Sequence, residues 1–189
     1  MMIKDLIVKN RSYRRFYQDR AVEMCVLREL VDLARLAPSG LNRQGLKYIM
    51  SNTQDLSNKI NDCLIWAGYC KGWISPKDGE KPSAFIVMIN DTSLGTSLPQ
   101  DQGFAGQNIL LGAVEKGLGG CYIVNIKKDI LAQTLNLDDK YEIAAVIAIG
   151  YPKEEVVIEP MDASGDVKYW RDDNQVHHVP KRSLDEIIL

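Results

Sequence analysis

Residues 84–90 (AFIVMIN) are the most restrictive stretch of this chain: a nearly unbroken apolar run of strand length, bounded by Pro82 and Asp91. A strand with one wet face alternates apolar and polar side chains, whereas a continuous apolar run is covered on both faces. The fold must therefore bury a central sheet between two layers. Two further runs supply strands for it, Gly119–Asn125 (GGCYIVN) and Glu142–Gly150 (EIAAVIAIG). Between them lie helical patterns. From Val22 to Ala37, Leu27, Leu30, Val31 and Ala34 line one face, with Arg28, Glu29, Asp32 and Arg35 interleaved, and Pro38-Ser39-Gly40 ends the run. Asp101–Lys116 is apolar and rich in small residues (Gly103, Ala105, Gly106, Gly112, Ala113), which suggests close approach of another backbone, that of a second subunit included. Strands separated by helices indicate an α/β or α+β sandwich.

The remaining segments are shorter. Residues 3–10 carry Ile3, Leu6 and Ile7 at helical spacing, residues 48–50 suit a strand, and Leu56, Ile60 and Leu64 suit a helix, as do residues 129–135. Trp66 to Pro82 reads as a loop or flap. After Pro152 about thirty residues are too polar for a core of their own, and an extended arm over the surface or a partner is expected. Ser183 and Glu186 then match a capping box. A length of 189 residues predicts one domain, 1–189. The net charge of −2 argues against general nucleic-acid binding. No apolar run approaches the ~18 residues that span a bilayer, and the N-terminal stretch lacks a signal core. The four cysteines show neither CxxC nor zinc-like spacing and read as reduced thiols of a cytoplasmic protein.

Three clusters could carry chemistry. Arg11-Ser12-Tyr13-Arg14-Arg15-Phe16 places three guanidinium groups in five residues, which suits either a solvated turn or a shared anion such as phosphate. Lys181-Arg182 precedes the capping box, where a helix N-terminus adds positive potential. Pro38-Ser39-Gly40-Leu41-Asn42-Arg43-Gln44 can present amide donors and acceptors to a heterocycle, or be ordinary turn chemistry. Trp66, Tyr69 and Trp73 could wall a flat ligand or pack on one another. His177 and His178, being adjacent, point apart in an extended segment, so no metal site is expected. Neither GxGxxG after a strand, nor a P-loop, nor GxSxG occurs. Cys121 reads as core.

The order RSYRRF, APSGLNRQ, QNILLGAVEKGLGGCYI, IAIGYPKE and VPKRSLDEII resembles the nitroreductase family of FMN-dependent oxidoreductases, from about residue 3 to 189. The resemblance implies an α+β sandwich with a mostly antiparallel central sheet flanked by helices. It also implies an intertwined homodimer, with residues 153–182 as an arm embracing the partner and FMN at the interface. It assigns Arg11, Ser12, Lys181 and Arg182 to the FMN phosphate and Arg14 to the pyrimidine side of the ring. Ser39, Asn42 and Gln44 match ring or ribityl contacts, and Gly119-Gly120 opens the backbone that passes the flavin. The implied reaction takes hydride from NADH or NADPH and passes it to a nitroaromatic, quinone or similar small electron-poor acceptor. A dehalogenase or dehydrogenase of the same fold, or a non-catalytic flavin sensor or store, are the alternatives. Asn10, where the family often has a base, and Gly45, where Pro is common, are departures. The short 64–82 segment suggests a reduced lid.

Overall fold

The computed structural model describes residues 2–70, 73–95 and 97–189. In chain order its elements are α1 (Ile3–Lys9), α2 (Met24–Arg35), β1 (Leu46–Ser51), α3 (Gln54–Asn61), β2 (Ala84–Asp91), α4 (Pro99–Glu115), β3 (Gly119–Ile123), α5 (Lys128–Thr134) and β4 (Tyr141–Gly150). The C-terminal part adds β5 (Val156–Pro160), β6 (Trp170–Arg171), β7 (His177–Lys181) and α6 (Leu184–Ile187).

The first four strands form one antiparallel sheet in the order β1-β2-β4-β3. Every residue of β2 is buried, as the unbroken apolar run requires. Its alternate residues feed two separate layers. Ala84, Ile86 and Met88 meet Leu27, Leu30, Ile109 and Ala113 of α2 and α4. Phe85, Val87 and Ile89 meet Ile60 of α3, Leu131 of α5 and Trp66. Neither layer contains a buried residue beyond Ile149. No described helix is long and apolar enough to cross a membrane.

The small residues of α4 serve different ends. A Cβ on Gly112 would lie 2.3 Å from Leu33 Cδ1 of α2, and one on Gly106 would lie 2.5 Å from the Tyr122 ring. Both therefore accommodate side chains of this same chain, while nothing lies within 4 Å of a Cβ on Gly103. The expectation of a neighbouring backbone is corrected for Gly106 and Gly112.

The polar segment after Pro152 is more ordered than an arm. It folds into a second sheet, β5-β7-β6, in which β5 and β7 run parallel and β6 pairs antiparallel with β7. Polar groups stabilise it where apolar ones are scarce. His178 lies between Glu159 and Asp172 and stacks flat on Trp170, with ring centroids 4.9 Å apart. α6 carries the expected Ser183–Glu186 capping box and buries none of its residues.

Candidate functional site

The Arg-rich segment lies along the end of the first sheet. Ser12 forms a parallel bridge to Gly120, the Tyr13 amide donates to the Gly120 carbonyl at 3.0 Å, and Phe16 bridges Pro152. Gly119 makes room for this approach, while Gly120 makes room for the neighbouring strand β4. A Cβ on Gly119 would lie 2.5 Å from Tyr13 Cδ2, and one on Gly120 would lie 2.6 Å from the Ala148 carbonyl oxygen. Arg11, Ser12, Gly119 and Gly120 are thus one local assembly.

The three guanidinium groups meet three different fates. Arg15 forks onto Glu80, Nε to Oε2 at 2.8 Å and Nη2 to Oε1 at 2.7 Å, and this pairing holds the Glu80 carboxyl below its ordinary range. Arg14 is buried and makes no ion pair among the described residues. Its Nη1 donates to the Ser12 carbonyl at 3.1 Å and lies 3.2 Å from His177 Nε2, while its guanidinium sits 4.7 Å from the centre of the Tyr169 ring. Arg11 Nη2 donates to the Ile7 carbonyl at 2.8 Å, but its Nε is buried with no partner among the described residues. Burial lowers the pKa of Arg11. A buried cationic donor without an acceptor is costly, and an arriving anion would satisfy it.

A buried carboxylate organises this segment. Glu154 accepts from the amides of Arg14 and Arg15 through Oε1 and from Arg171 Nη2 through Oε2, the last at 2.7 Å. Arg171 in turn lies over the Trp73 ring, 4.9 Å from its centre. With Nε2 facing an Arg N–H, His177 is an acceptor there and its proton sits on Nδ1, which is buried without a partner. Burial, then the charges of Arg14 and Arg171, push the His177 pKa down to about 4. Glu80, Glu154, Tyr169, Arg171 and His177 carry no local motif, and sequence reading misses their roles.

The Ser39–Gln44 loop packs against the start of α4. Asp101, itself buried, accepts from the amides of Gly40 at 2.9 Å and Leu98 at 3.2 Å. Ser39 Oγ accepts from the Gln44 amide at 3.2 Å. Leu41, Asn42 and Gln44 hold φ of 54°, 53° and 52°, a left-handed region that non-glycine residues occupy at a cost. All three are exposed. A cleft of about 220 Å³ beside them is lined by Ser39, Gln44, Tyr48 and Asp101. Burial pushes the Tyr48 phenol up to about 12. Further along α4, Gln107 accepts from Asn10 Nδ2 at 3.3 Å. The loop and the Arg11 segment therefore dock on one helix, six residues or about 9 Å apart along its axis.

Lys181 and Arg182 lie at the far end of β7, exposed, with Arg182 3.5 Å from Glu186. β7 begins at His177 beside Arg14, so Lys181 is about 13 Å further along the strand. Among the described residues no hydrogen bond or ion pair joins Lys181, Arg182, Ser39, Asn42 or Gln44 to Arg11 or Ser12. The aromatic trio separates as well. Trp66 is 5% exposed and belongs to the core, which corrects its expected place on a pocket wall. Trp73 meets it edge-on at 6.4 Å. Tyr69 and Trp73 instead line a groove of about 850 Å³ with Tyr169, Trp170 and Arg171. Cys121 is core, its thiol pushed up to about 11 by burial.

The model of the nitroreductase family matches residues 7–68 and 82–151, more than half of the chain. The chain belongs to the nitroreductase family. A curated relative from Methanothermobacter thermautotrophicus is 28% identical over 155 residues, covering 78% of this chain and 76% of the relative, and is named "Putative NADH dehydrogenase/NAD(P)H nitroreductase". Among solved structures, an FMN-dependent nitroreductase from Clostridium difficile R20291 superposes with a TM-score of 0.68 at 25% identity over 81% of this chain and 89% of its own. A nitroreductase family protein from Streptococcus pneumoniae shares the fold over 100% of this chain and 99% of its own, with a TM-score of 0.74 at 17% identity. The nitroreductase match spans both the Arg11–Phe16 segment and the Ser39–Gln44 loop, and it stops before Glu154 and the second sheet.

Proposed function

We propose that this chain is an FMN-dependent NAD(P)H oxidoreductase that works as a homodimer. The observation that carries the reading is the buried, unpartnered Nε of Arg11 beside Ser12 and the Gly119-Gly120 pair, a cationic donor set suited to a phosphate. Arg11 and Ser12 would hold the FMN phosphate. Arg14 would stand by the pyrimidine side of the ring, where its charge stabilises negative charge that develops on reduction. When bound, FMN supplies two-electron chemistry, taking hydride from NADH or NADPH and returning it to an electron-poor acceptor such as a nitroaromatic or quinone. The groove walled by Tyr69, Trp73, Tyr169 and Trp170 offers flat apolar faces to that acceptor.

Two features support the dimer. α1 buries none of its residues, and Ile3, Ile7 and Val8 stay exposed, as do Leu184, Ile187 and Ile188 at the other end of the chain. The second is the place of Lys181 and Arg182 at the far end of β7, about 13 Å along the strand from His177, from which a second copy would deliver them to the partner's Arg11 segment. The purified protein is expected to be yellow, with one FMN per chain, bleached anaerobically by NADH or NADPH and recoloured by an acceptor. Arg11→Ala should weaken FMN binding roughly ten- to a hundredfold, the size of one hydrogen bond to a charged group. A colourless protein that cannot be reconstituted with FMN would refute the reading.

A further inference from the structure

We infer that the C-terminal sheet positions Arg14 for the flavin, His177 through its Nε2 and Tyr169 through its ring holding the guanidinium by groups that, among the described residues, are all neutral. The inference rests on the flavin reading above and assigns roles to two positioning residues outside the stretch matched by the family.

The neighbouring cations are each held by a carboxylate. Arg15 is neutralised by Glu80 and Arg171 by Glu154, both carboxylates nearly inaccessible to water. Arg14 is buried as deeply, yet its partners are a backbone carbonyl, an imidazole nitrogen and an aromatic face. Glu154, which accepts from the backbone amide of Arg14, spends its oxygens on the amides of residues 14 and 15 and on Arg171. A carboxylate on Arg14 would cancel its charge at short range. Neutral acceptors fix the geometry of the guanidinium and leave its field available to another anion.

His177 suits this task and little else. It is 1% exposed, and its low pKa keeps it neutral across the working range. The arrangement leaves Nδ1–H buried without a partner, a cost that a phenylalanine of similar shape would avoid. Packing alone therefore gives no reason for an imidazole at this position, whereas the acceptor for Arg14 does. The sheet behind it is braced on both sides. β7 pairs with β5 and β6, the His177 amide donates to the Glu155 carbonyl at 2.9 Å, and the Tyr169 ring is flanked by Tyr69 and His177 at 5.2 and 5.1 Å.

The test uses the full chain with bound FMN and reads affinity and two-electron midpoint potential. His177→Phe keeps shape and removes the acceptor, while His177→Gln keeps a neutral acceptor. His177→Phe should weaken binding of reduced relative to oxidised FMN by about tenfold, which lowers the midpoint potential by about 30 mV. His177→Gln should restore at least half of that shift. A folded His177→Phe protein with the wild-type potential overturns the inference, as does a His177→Gln protein shifted as far as the Phe variant. If His177→Phe does not fold, Tyr169→Leu and Tyr169→Phe decide. The first should lower the potential and the second should not, and equal potentials in both overturn the inference. A wild-type chain that takes up no FMN overturns the flavin reading and this inference together. Normal FMN binding with unmoved potentials overturns only the inference.

Discussion

Replacing Glu154 by Gln should be among the most damaging single changes to the site, although it alters one atom. The carboxylate is 1% exposed and joins three pieces of chain: the amides of Arg14 and Arg15, the guanidinium of Arg171 and its own strand exit after β4. A Gln carbonyl can still accept from the two amides. Its NH2 group then faces Arg171 Nη2, donor against donor, and Arg171, with a side chain only 10% exposed, keeps a charge without a counter-ion. Breaking a buried pair from one side costs about 3–5 kcal/mol. For a chain of this length that corresponds to a fall in Tm of about 6–20 °C. Urea denaturation followed by tryptophan fluorescence reads the change, since Trp73 and Trp170 flank the cluster. The decisive measurement is the double variant Glu154→Gln with Arg171→Met, which removes the stranded charge while keeping a side chain against Trp73. It should be more stable than Glu154→Gln alone. A loss below about 1 kcal/mol in the single variant, or strict additivity in the double, would refute the reasoning.

The adjacent histidines should respond to pH in opposite directions. His177 is held neutral with a pKa of about 4, so from pH 6.5 down to 4 the unfolded chain binds a proton that the folded one does not, and about 3 kcal/mol of stability is lost. His178 is raised, first by its hydrogen bond to Glu159 and also by Asp172, so its contribution is complete below about pH 6.5 and vanishes as pH rises through its folded pKa. Relative to the unaltered chain, His177→Gln should lose less stability on acidification from pH 6.5 to 4, and His178→Gln should lose less as pH rises above 6.5, read as Tm between pH 4 and 9; unchanged slopes in both windows would contradict this assignment. Gly120→Ala places a methyl 2.6 Å from the Ala148 carbonyl oxygen, a backbone atom that cannot step aside, and should cost about 1–3 kcal/mol while displacing Ser12. Thermal melts and FMN titration of that variant check both effects. Sedimentation should give twice the 21.2 kDa chain mass, and Ile3→Asp with Ile7→Asp should shift it towards the monomer with loss of FMN; a monomer that retains FMN would oppose the shared site.

The parts of this molecule legible in its sequence are those governed by local pattern. β2 and β4 follow from apolar runs that only a doubly covered sheet can hide, and α2 from its periodic face, with the ends moved by two residues. The Arg-rich segment shows in the sequence as a cluster, but its division of labour does not, because Glu80, Glu154 and His177 arrive from 65, 140 and 163 residues away. No periodicity encodes such pairings. The second sheet escaped for a related reason. β7 contains a proline and two histidines, and its stability comes from charge and ring contacts rather than from an apolar stripe. Trp66, which lies in the core, is undecided in the sequence because an aromatic residue in a loop reads alike whether it faces a ligand or the interior.

The second sheet contributes no buried side chain to either layer of the core, yet it supplies the neighbours of Arg14. Its opening and that of the main body should then be separable events, with the amides of β5 and β7 exchanging with solvent well before those of β2 and β4. Each such excursion would wet Arg14 without unfolding the scaffold. The two parts stay tied at one point, where Glu154 joins Arg171 to the amides of Arg14 and Arg15. A graft that replaces the second sheet must therefore bring its own cation to Glu154.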